Sequence, residues 1–157
     1  MDETKQPGIQ IQQVLLWSAQ FEHRKDALSL PPMTRVELGI ELEITAMAAE
    51  DGSQGAIVLK VRNNAESQDA LYRLSFEMMG IVQKEAESPN MTVQEYLEKN
   101  GAATLYPFLR EAVANVTARG RFGPLWLKPF NFVALGQGEW SHAPVDAQTE
   151  PKDTKEA

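Results

Sequence analysis

The spacing of the apolar residues changes near residue 90, and this change restricts the possible folds more than any other feature of the sequence. Before residue 85, apolar side chains recur at every second position in four stretches, which is typical of strands with one buried face. After residue 92 they recur at intervals of three and four, which is typical of amphipathic helices. Because the strands precede the helices, the sequence predicts an α+β domain with helices packed on one face of a four-stranded antiparallel sheet.

The four predicted strands cover residues 9–21, 36–45, 57–62 and 71–83. In the first strand, the apolar residues assigned to one face, interrupted only by Gln13, are Ile9, Ile11, Leu15, Trp17, Ala19 and Phe21. The connection over residues 23–34 is too long for a tight hairpin, so the first two strands need not be neighbours. Lys60 and Arg62 of the third strand are expected to lie opposite glutamates of the second, which helps to fix the antiparallel register.

Two helices are predicted after residue 91. Thr92 and Glu95 have the spacing of a capping box, which opens a short helix that the Asn-Gly pair at 100–101 is expected to end. A longer helix is expected to begin two or three residues before Pro107, because proline fits the first turn of a helix and not its interior. Gly120 is expected to cap this helix in a left-handed conformation.

The long helix leads into an apolar segment, residues 122–130, which contains Gly123, Pro124 and Pro129. Glycine and proline at this density predict irregular structure. An apolar loop has to be buried in the core or to meet a partner. Each of its large side chains, taken singly, favours a core position. Together with the apolar connection over residues 27–33, they could instead line a groove that suits extended polypeptide.

The composition excludes several functional classes. With 157 residues and 43% hydrophobic content, the chain has room for one sizeable core. The net charge of -7 argues against nucleic acid as the main partner, since phosphate binding needs a basic surface. The absence of cysteine excludes disulfides and zinc-thiolate sites. The N-terminus has no apolar signal core and no stretch is long enough to span a membrane, which predicts a cytoplasmic protein without membrane insertion.

No combination of residues predicts catalysis or metal binding. His23 and His142 have no partner at metal-ligand spacing, and the glutamates of the second strand alternate as a solvated face does. No nucleophile, base and orienting group occur together, so we infer no enzyme and no cofactor. The domain boundaries are set by composition: a disordered N-terminus over residues 1–8, a folded domain over 9–135, and an acidic, disordered tail over 136–157.

One pattern in the last third of the domain is that of a known family. Its residues are Leu105, Pro107, Arg110, Glu111, Arg119, Gly120, Phe122, Leu125, Leu127, Pro129, Asn131, Phe132, Ala134 and Leu135. This pattern resembles that of the SecB family of bacterial protein-export chaperones, and weaker agreement extends over residues 9–135. Where that family continues with a final helix, this chain has Gly136, so the helix is expected to be short or absent.

The resemblance implies a protomer that assembles as a dimer of dimers, which agrees with the apolar residues on both faces of strands one and four. It implies an ATP-independent holdase that binds unfolded or precursor proteins in a hydrophobic groove and delivers them to the translocase motor SecA. The implied client-binding residues are Leu28, Leu30, Met33, Phe122, Leu125, Trp126, Leu127 and Phe130. The implied motor contacts are Glu22 and Glu77, although Ser18 stands where the family has an aspartate.

Three alternatives remain open from the sequence. Some relatives act as dedicated chaperones for an antitoxin or another narrow set of clients. A small-molecule carrier or enzyme could use the same apolar surface as a closed pocket. The apolar surface could also serve only as an interface between subunits.

Overall fold

The computed structural model of the chain describes residues 7–67, 70–85, 87, 90–134 and 143–149. Its strands are β1 (Ile9–His23), β2 (Glu37–Leu38), β3 (Ile40–Ala48), β4 (Gln54–Asn63), β5 (Tyr72–Lys84), β6 (Leu125–Leu127), β7 (Ala143–Pro144) and β8 (Ala147–Thr149). Its α-helices are α1 (Val93–Tyr96) and α2 (Ala102–Thr117), joined by a π-helical turn (Leu97–Gly101). Short 3₁₀ turns cover Lys25–Ser29 and Phe132–Ala134.

The main sheet has the strand order β1-β5-β4-β3-β7, and all its pairs are antiparallel. The prediction of a four-stranded antiparallel sheet with helices is confirmed, and β1 is indeed not a neighbour of β3. The predicted charge pairing across β3 and β4 is also confirmed, since Glu41 lies opposite Arg62 and Glu43 opposite Lys60. The Arg62 guanidinium is 3.4 Å from the Glu41 carboxylate.

Two β-bulges change the alternation of β1. The register shifts between Ile11 and Gln13 and again between Leu16 and Ser18. Each extra residue moves the following side chains to the other face of the sheet. Leu16 therefore lies opposite Met78 on the helix side, while Leu15 faces the other way. The prediction that Leu15 continues the apolar face of Ile9 is wrong, because period-two alternation cannot reveal a bulge.

The N-terminal capping box is confirmed. The Thr92 hydroxyl accepts a hydrogen bond from the Glu95 N–H at 3.1 Å, and the Glu95 carboxylate accepts one from the Thr92 N–H at 2.8 Å. The prediction that the chain leaves the helix at residues 100–101 is wrong, because the π-helical turn runs directly into α2. Gly101 serves close packing there, since a Cβ on it would lie 2.9 Å from the Ile57 Cδ1.

Pro107 lies inside α2 and not in its first turn, so the predicted start of the long helix is also wrong. A proline has no N–H to donate to the carbonyl four residues earlier, here that of Ala103. Ala103 and Pro107 both lie on the exposed side of α2, where water can satisfy that carbonyl. The buried side of the helix keeps its pattern, with Leu105 and Leu109 fully buried.

Gly120 is not the left-handed cap that the sequence predicts. α2 ends at Thr117, and positive φ angles occur among the described glycines at Gly8, Gly52 and Gly123. A Cβ on Gly120 would lie 2.9 Å from Cζ of Phe21 and 3.0 Å from the Thr117 carbonyl oxygen. The glycine is therefore needed for the close approach of the post-helix loop to β1.

The C-terminal segment over residues 143–149 corrects the predicted disordered tail. β7 pairs with β3, and β8 lies between β2 and β6 in a second, three-stranded sheet. The prediction of disorder rested on the low apolar content of the tail. It failed for these residues because main-chain hydrogen bonds and small inward side chains hold them in place. The remainder of the predicted tail, the predicted boundary at Leu135, and residues 1–6 lie outside the described residues.

We expect Gly120→Ala to lower the free energy of unfolding by about 1–3 kcal/mol, since the added methyl group must displace Phe21 or the end of α2. Urea denaturation monitored by circular dichroism measures this change. Gly39→Ala is the matched control, because its Cβ would meet nothing within 4 Å. Equal stability of the two variants would contradict the packing role of Gly120.

Candidate functional site

The apolar segment over residues 122–130 is more ordered than the sequence predicts. Residues Leu125–Leu127 form β6, which pairs with β8 in the second sheet. Leu127 lies opposite Ala147, so the pairing partner is far away in the sequence. The prediction of irregular structure is wrong here, because local glycine and proline content cannot reveal a partner strand of this kind.

Three side chains of α2 form hydrogen bonds with the main chain of the segment that contains β6. The Arg110 guanidinium donates to the Leu127 carbonyl at 2.9 Å, and the Tyr106 hydroxyl donates to the Lys128 carbonyl at 2.6 Å. The Leu125 N–H donates to the buried Thr117 hydroxyl at 2.8 Å. Sequence reasoning placed Arg110 in a pattern without a role and missed the other two. The sequence signal that could have identified these residues is a polar side chain on the buried or half-buried side of a helix.

Phe122, Leu125 and Leu127 were predicted to bind client, but the structure places them in the core. Phe122 is 4% exposed, and Leu125 and Leu127 are completely buried. Another chain cannot contact these side chains while the protomer keeps this arrangement. Their role in the described conformation is to pack β6 and the post-helix loop against the domain.

The other predicted client-binding residues are accessible to different degrees. Leu28 is 71% exposed, Met33 is 56% exposed and Trp126 is 39% exposed. Leu30 and Phe130 are half-buried and pack against the core. The accessible side chains therefore lie in the connection after β1 and on the outer face of β6.

The connection after β1 is fastened to the loop after α2. The Arg121 guanidinium donates two hydrogen bonds to the Leu30 carbonyl, at 2.9 and 3.1 Å. The Arg121 N–H donates to Nε2 of His23 at 2.9 Å. The structure thus joins the two regions that the family resemblance implies form the groove. Sequence reasoning missed Arg121, which has no motif beyond its place after Gly120.

An aromatic cluster of the buried Tyr106 and the half-buried Phe130 and Phe132 lies beyond β6. The ring centroids of Tyr106 and Phe132 are 5.2 Å apart, and those of Phe130 and Phe132 are 4.8 Å apart. Tilted and edge-on arrangements at these distances are favourable. Val133, next to this cluster, is almost fully exposed. The end of β6 therefore leads to an apolar margin that is only partly covered by the protomer itself.

Glu22 and Glu77, the predicted motor contacts, lie on the sheet face opposite the helices. Glu22 is exposed opposite Arg73, and Glu77 lies opposite Ser18 on one side. On the other side the Lys60 ammonium is 2.8 Å from the Glu77 carboxylate. This face therefore alternates in charge and is not the purely acidic surface that the resemblance implies.

The same sheet face has an apolar part. Leu15 lies beside Met79, and Met79 lies beside Val58, in adjacent strands. Their side chains are half-buried, and Met47 nearby is exposed. The signal was present as apolar residues on both faces of the first and fourth predicted strands. The structure shows that a β-bulge brings Leu15 to this face.

The shifted ionisable groups have structural causes. A hydrogen bond from the Ser53 backbone holds the pKa of Asp51 below its usual value, and one from the Thr92 backbone does the same for the pKa of Glu95. Burial raises the pKa of Tyr72 and of Tyr106 to about 12.

Among the described residues, no group of three or more His, Cys, Asp or Glu side chains could hold a metal ion. In the same part of the chain, no helix is long and apolar enough to cross a membrane.

These features define a class of protein: an α+β domain with an exposed apolar margin beside a small sheet whose strands pair through the main chain. The family model described as preprotein translocase subunit SecB matches residues 2–142 of the chain. The protein-export protein SecB of Bartonella quintana is 24% identical over 133 residues, which cover 83% of each chain. The one from Bradyrhizobium sp. is 32% identical over 117 residues, covering 73% of this chain and 71% of that protein.

The fold agrees with this match. A SecB-like chaperone of Mycobacterium tuberculosis, solved in complex with a peptide from the HigA1 antitoxin, superposes with a TM-score of 0.57 at 23% identity. The superposition covers 78% of this chain and 91% of that chain. The chain described here belongs to the SecB family.

We expect Tyr106→Phe to destabilise the protein by about 1 kcal/mol at pH 7, because it removes the hydrogen bond to the Lys128 carbonyl. Tyrosine ionises near pH 10 in an unfolded chain, whereas burial raises the pKa of Tyr106 to about 12 in the folded protein. Its contribution to stability is therefore complete below pH 10 and is lost as the pH rises towards 12.

Urea denaturation of the wild type and of Tyr106→Phe at several pH values between 8 and 11.5 checks this prediction. The stability difference between them should shrink above pH 10. A difference that stays constant over this range would show that burial does not raise the pKa of Tyr106.

Proposed function

We propose that this protein is an ATP-independent holdase that binds unfolded or precursor polypeptides and keeps them from aggregating. Membership of the SecB family is the observation that carries this proposal. The site supports it, because Leu28, Met33 and Trp126 present apolar surface beside a sheet that already accepts an extended segment. Apolar contacts and main-chain hydrogen bonds both tolerate varied sequences, as a holdase requires. We assign it no catalytic activity.

The client-binding residues that we propose differ in part from the sequence prediction. Leu28, Met33 and Trp126 are accessible and are proposed to contact clients directly, with Leu30 and Phe130 at the margin. Phe122, Leu125 and Leu127 are proposed to support this surface from the core. The hypothesis of a small-molecule carrier is weaker than that of a holdase. Some of the residues that would line a closed pocket are buried in the core, and the others lie on the open surface.

We propose that the protein assembles as a dimer of dimers. Within the part of the chain that the structure describes, no strand pairs with the outer edge of β1. An unpaired edge of this length is a template for pairing with a second chain. Leu16 and Trp17 on this strand are exposed, and so is Phe108 on α2. These surfaces support assembly through both the sheet edge and the helix.

The export role is proposed from the family, in which curated relatives are named protein-export protein SecB. The proposed export role implies a cytoplasmic protein whose partner is the SecA motor, and Glu22 and Glu77 are the candidate contacts. The alternative is a chaperone dedicated to a narrow client, as the M. tuberculosis neighbour was solved with an antitoxin peptide. The Lys60–Glu77 ion pair on the sheet face favours this alternative. Binding to purified SecA separates the two roles.

We expect Trp126→Asp to weaken client binding by about tenfold or more, since an exposed aromatic anchor would be replaced by a charge. The measurement is suppression of aggregation of a slowly refolding client at several chaperone concentrations. Thr45→Asp is the control and should behave as the wild type. It adds the same charge at an exposed position on the face of the main sheet that lies opposite the helices.

Light scattering on the same variants reports whether assembly is intact. Loss of client binding in Trp126→Asp with assembly retained supports the holdase. A wild-type protein that is monomeric and never suppresses aggregation would contradict the proposed function.

We expect Leu16→Lys to shift the assembly towards smaller species, because a lysine on an edge strand opposes pairing between strand edges. Analytical ultracentrifugation at several protein concentrations measures the shift. Met47→Lys is the control, because it makes the same kind of change at an exposed position on β3, away from β1. An identical sedimentation profile for both variants would exclude β1 as the interface.

A further inference from the structure

The C-terminal part of the segment over residues 143–149 occupies a slot one strand wide, whereas its first two residues form β7 at the edge of β3. β8 is the middle strand of the second sheet, with β2 on one side and β6 on the other. Among the described residues, β2 and β6 pair with β8 and not with each other. Neighbouring strands lie about 4.8 Å apart, so the slot between the two walls is about 9.6 Å wide.

The walls of the slot are held without the segment. β6 is fixed to α2 by the hydrogen bonds of Tyr106, Arg110 and Thr117. β2 is continuous with β3 through Gly39, and β3 is paired with β4 along its whole length. None of these contacts uses residues 143–149, so both walls are expected to stand when the segment leaves.

Main-chain hydrogen bonds hold the segment in the slot. The Val145 N–H donates to the Ile40 carbonyl at 2.7 Å, and the Thr149 N–H donates to the Val36 carbonyl at 3.0 Å. On the other side the Lys128 N–H donates to the Asp146 carbonyl at 2.9 Å. Bonds of this kind do not depend on the sequence of the inserted strand.

The side chains of the segment are small where they face inward. Val145, Ala147 and Thr149 are buried, whereas Asp146 is exposed and Gln148 is half-buried. The outer contacts are a 3.6 Å ion pair between Lys128 and Asp146 and a hydrogen bond from Arg35 to Gln148. Exposed ion pairs of this kind contribute little to stability. The slot therefore selects an extended strand with small or apolar residues at alternate positions.

We propose that residues 143–149 are a built-in competitor that occupies a client-binding slot, and that an unfolded client segment binds there by replacing them as the middle strand. This inference rests on the proposed holdase function and specifies its binding mode. A client strand would restore the main-chain bonds to β2 and β6 and cover Leu38 and Leu127 again. Because the segment fills the slot in the free protein, a client can bind only during the fraction of time that the slot is empty. The apparent affinity for the client is lowered in proportion.

A disulfide between Glu37→Cys and Gln148→Cys tests the proposal. These positions lie directly opposite in β2 and β8, and cross-strand positions of this kind are within reach of a disulfide. The natural chain has no cysteine, so this would be the only thiol pair. The oxidised variant keeps the segment in the slot, and the reduced variant leaves the segment free to exchange with a client. The two states of the variant differ only in the disulfide.

We expect oxidation to lower the affinity for a fluorescently labelled unfolded client by about tenfold or more, and reduction to restore it. The control is the pair Gln54→Cys and Gln83→Cys, which are exposed and lie opposite each other in β4 and β5, away from the segment. Its affinity should not depend on its redox state.

Hydrogen exchange provides a second readout on the wild-type protein. The amides of Val145 and Thr149 should lose protection when client binds, because their bonds to the Ile40 and Val36 carbonyls are broken. Equal client affinity of the oxidised and reduced variants, with protection at these amides unchanged by client, would overturn the inference and leave the holdase function intact. Failure of the wild type and of the reduced variant to bind any client would overturn the proposed function itself.

Discussion

Burial of one side of α2 against the main sheet is the interaction on which the rest of the structure depends. Leu105, Leu109 and Val113 are completely buried there, and Gly80 in β5 lets the helix approach closely, since a Cβ on it would lie 3.3 Å from Leu105. The helix packed in this way then presents polar side chains to the other side. Tyr106 and Arg110 bind the carbonyls of the segment that contains β6. The position of the small sheet is thus a consequence of how the helix packs.

The small sheet separates two kinds of apolar residue that look the same in the sequence. Leu125 and Leu127 point into the core, whereas Trp126 between them points outward, as alternation along a strand requires. A protein that binds unfolded chains has to expose apolar surface without losing its own core. In this protomer the strand meets both needs, because its inner residues stabilise the fold and its outer residue remains accessible.

On the open face of the main sheet, a neighbouring strand reduces the negative potential of an acidic side chain. Glu77 is an isolated acidic residue in the sequence, but Lys60 of the adjacent strand is within ion-pair distance of it. A partially exposed pair of this kind adds little stability, yet it reduces the negative potential that a basic partner would meet. The face that carries the proposed motor contacts Glu22 and Glu77 is therefore electrostatically mixed in this chain, next to an apolar part that includes Met79.

The sequence by itself determined the α+β class, the capping box at Thr92 and the family, because periodicity, caps and motifs are local properties. The length of the connection over residues 23–34 indicated only that the first two strands need not be neighbours. The tertiary structure alone decided which apolar residues are core and which are accessible. It also decided that Gly120 permits a close contact with Phe21, and that bulges redirect Leu15. The strand over residues 143–149 could not be predicted, since its partners lie far away in the sequence. It is held by main-chain bonds and small side chains, which leave no apolar pattern to detect.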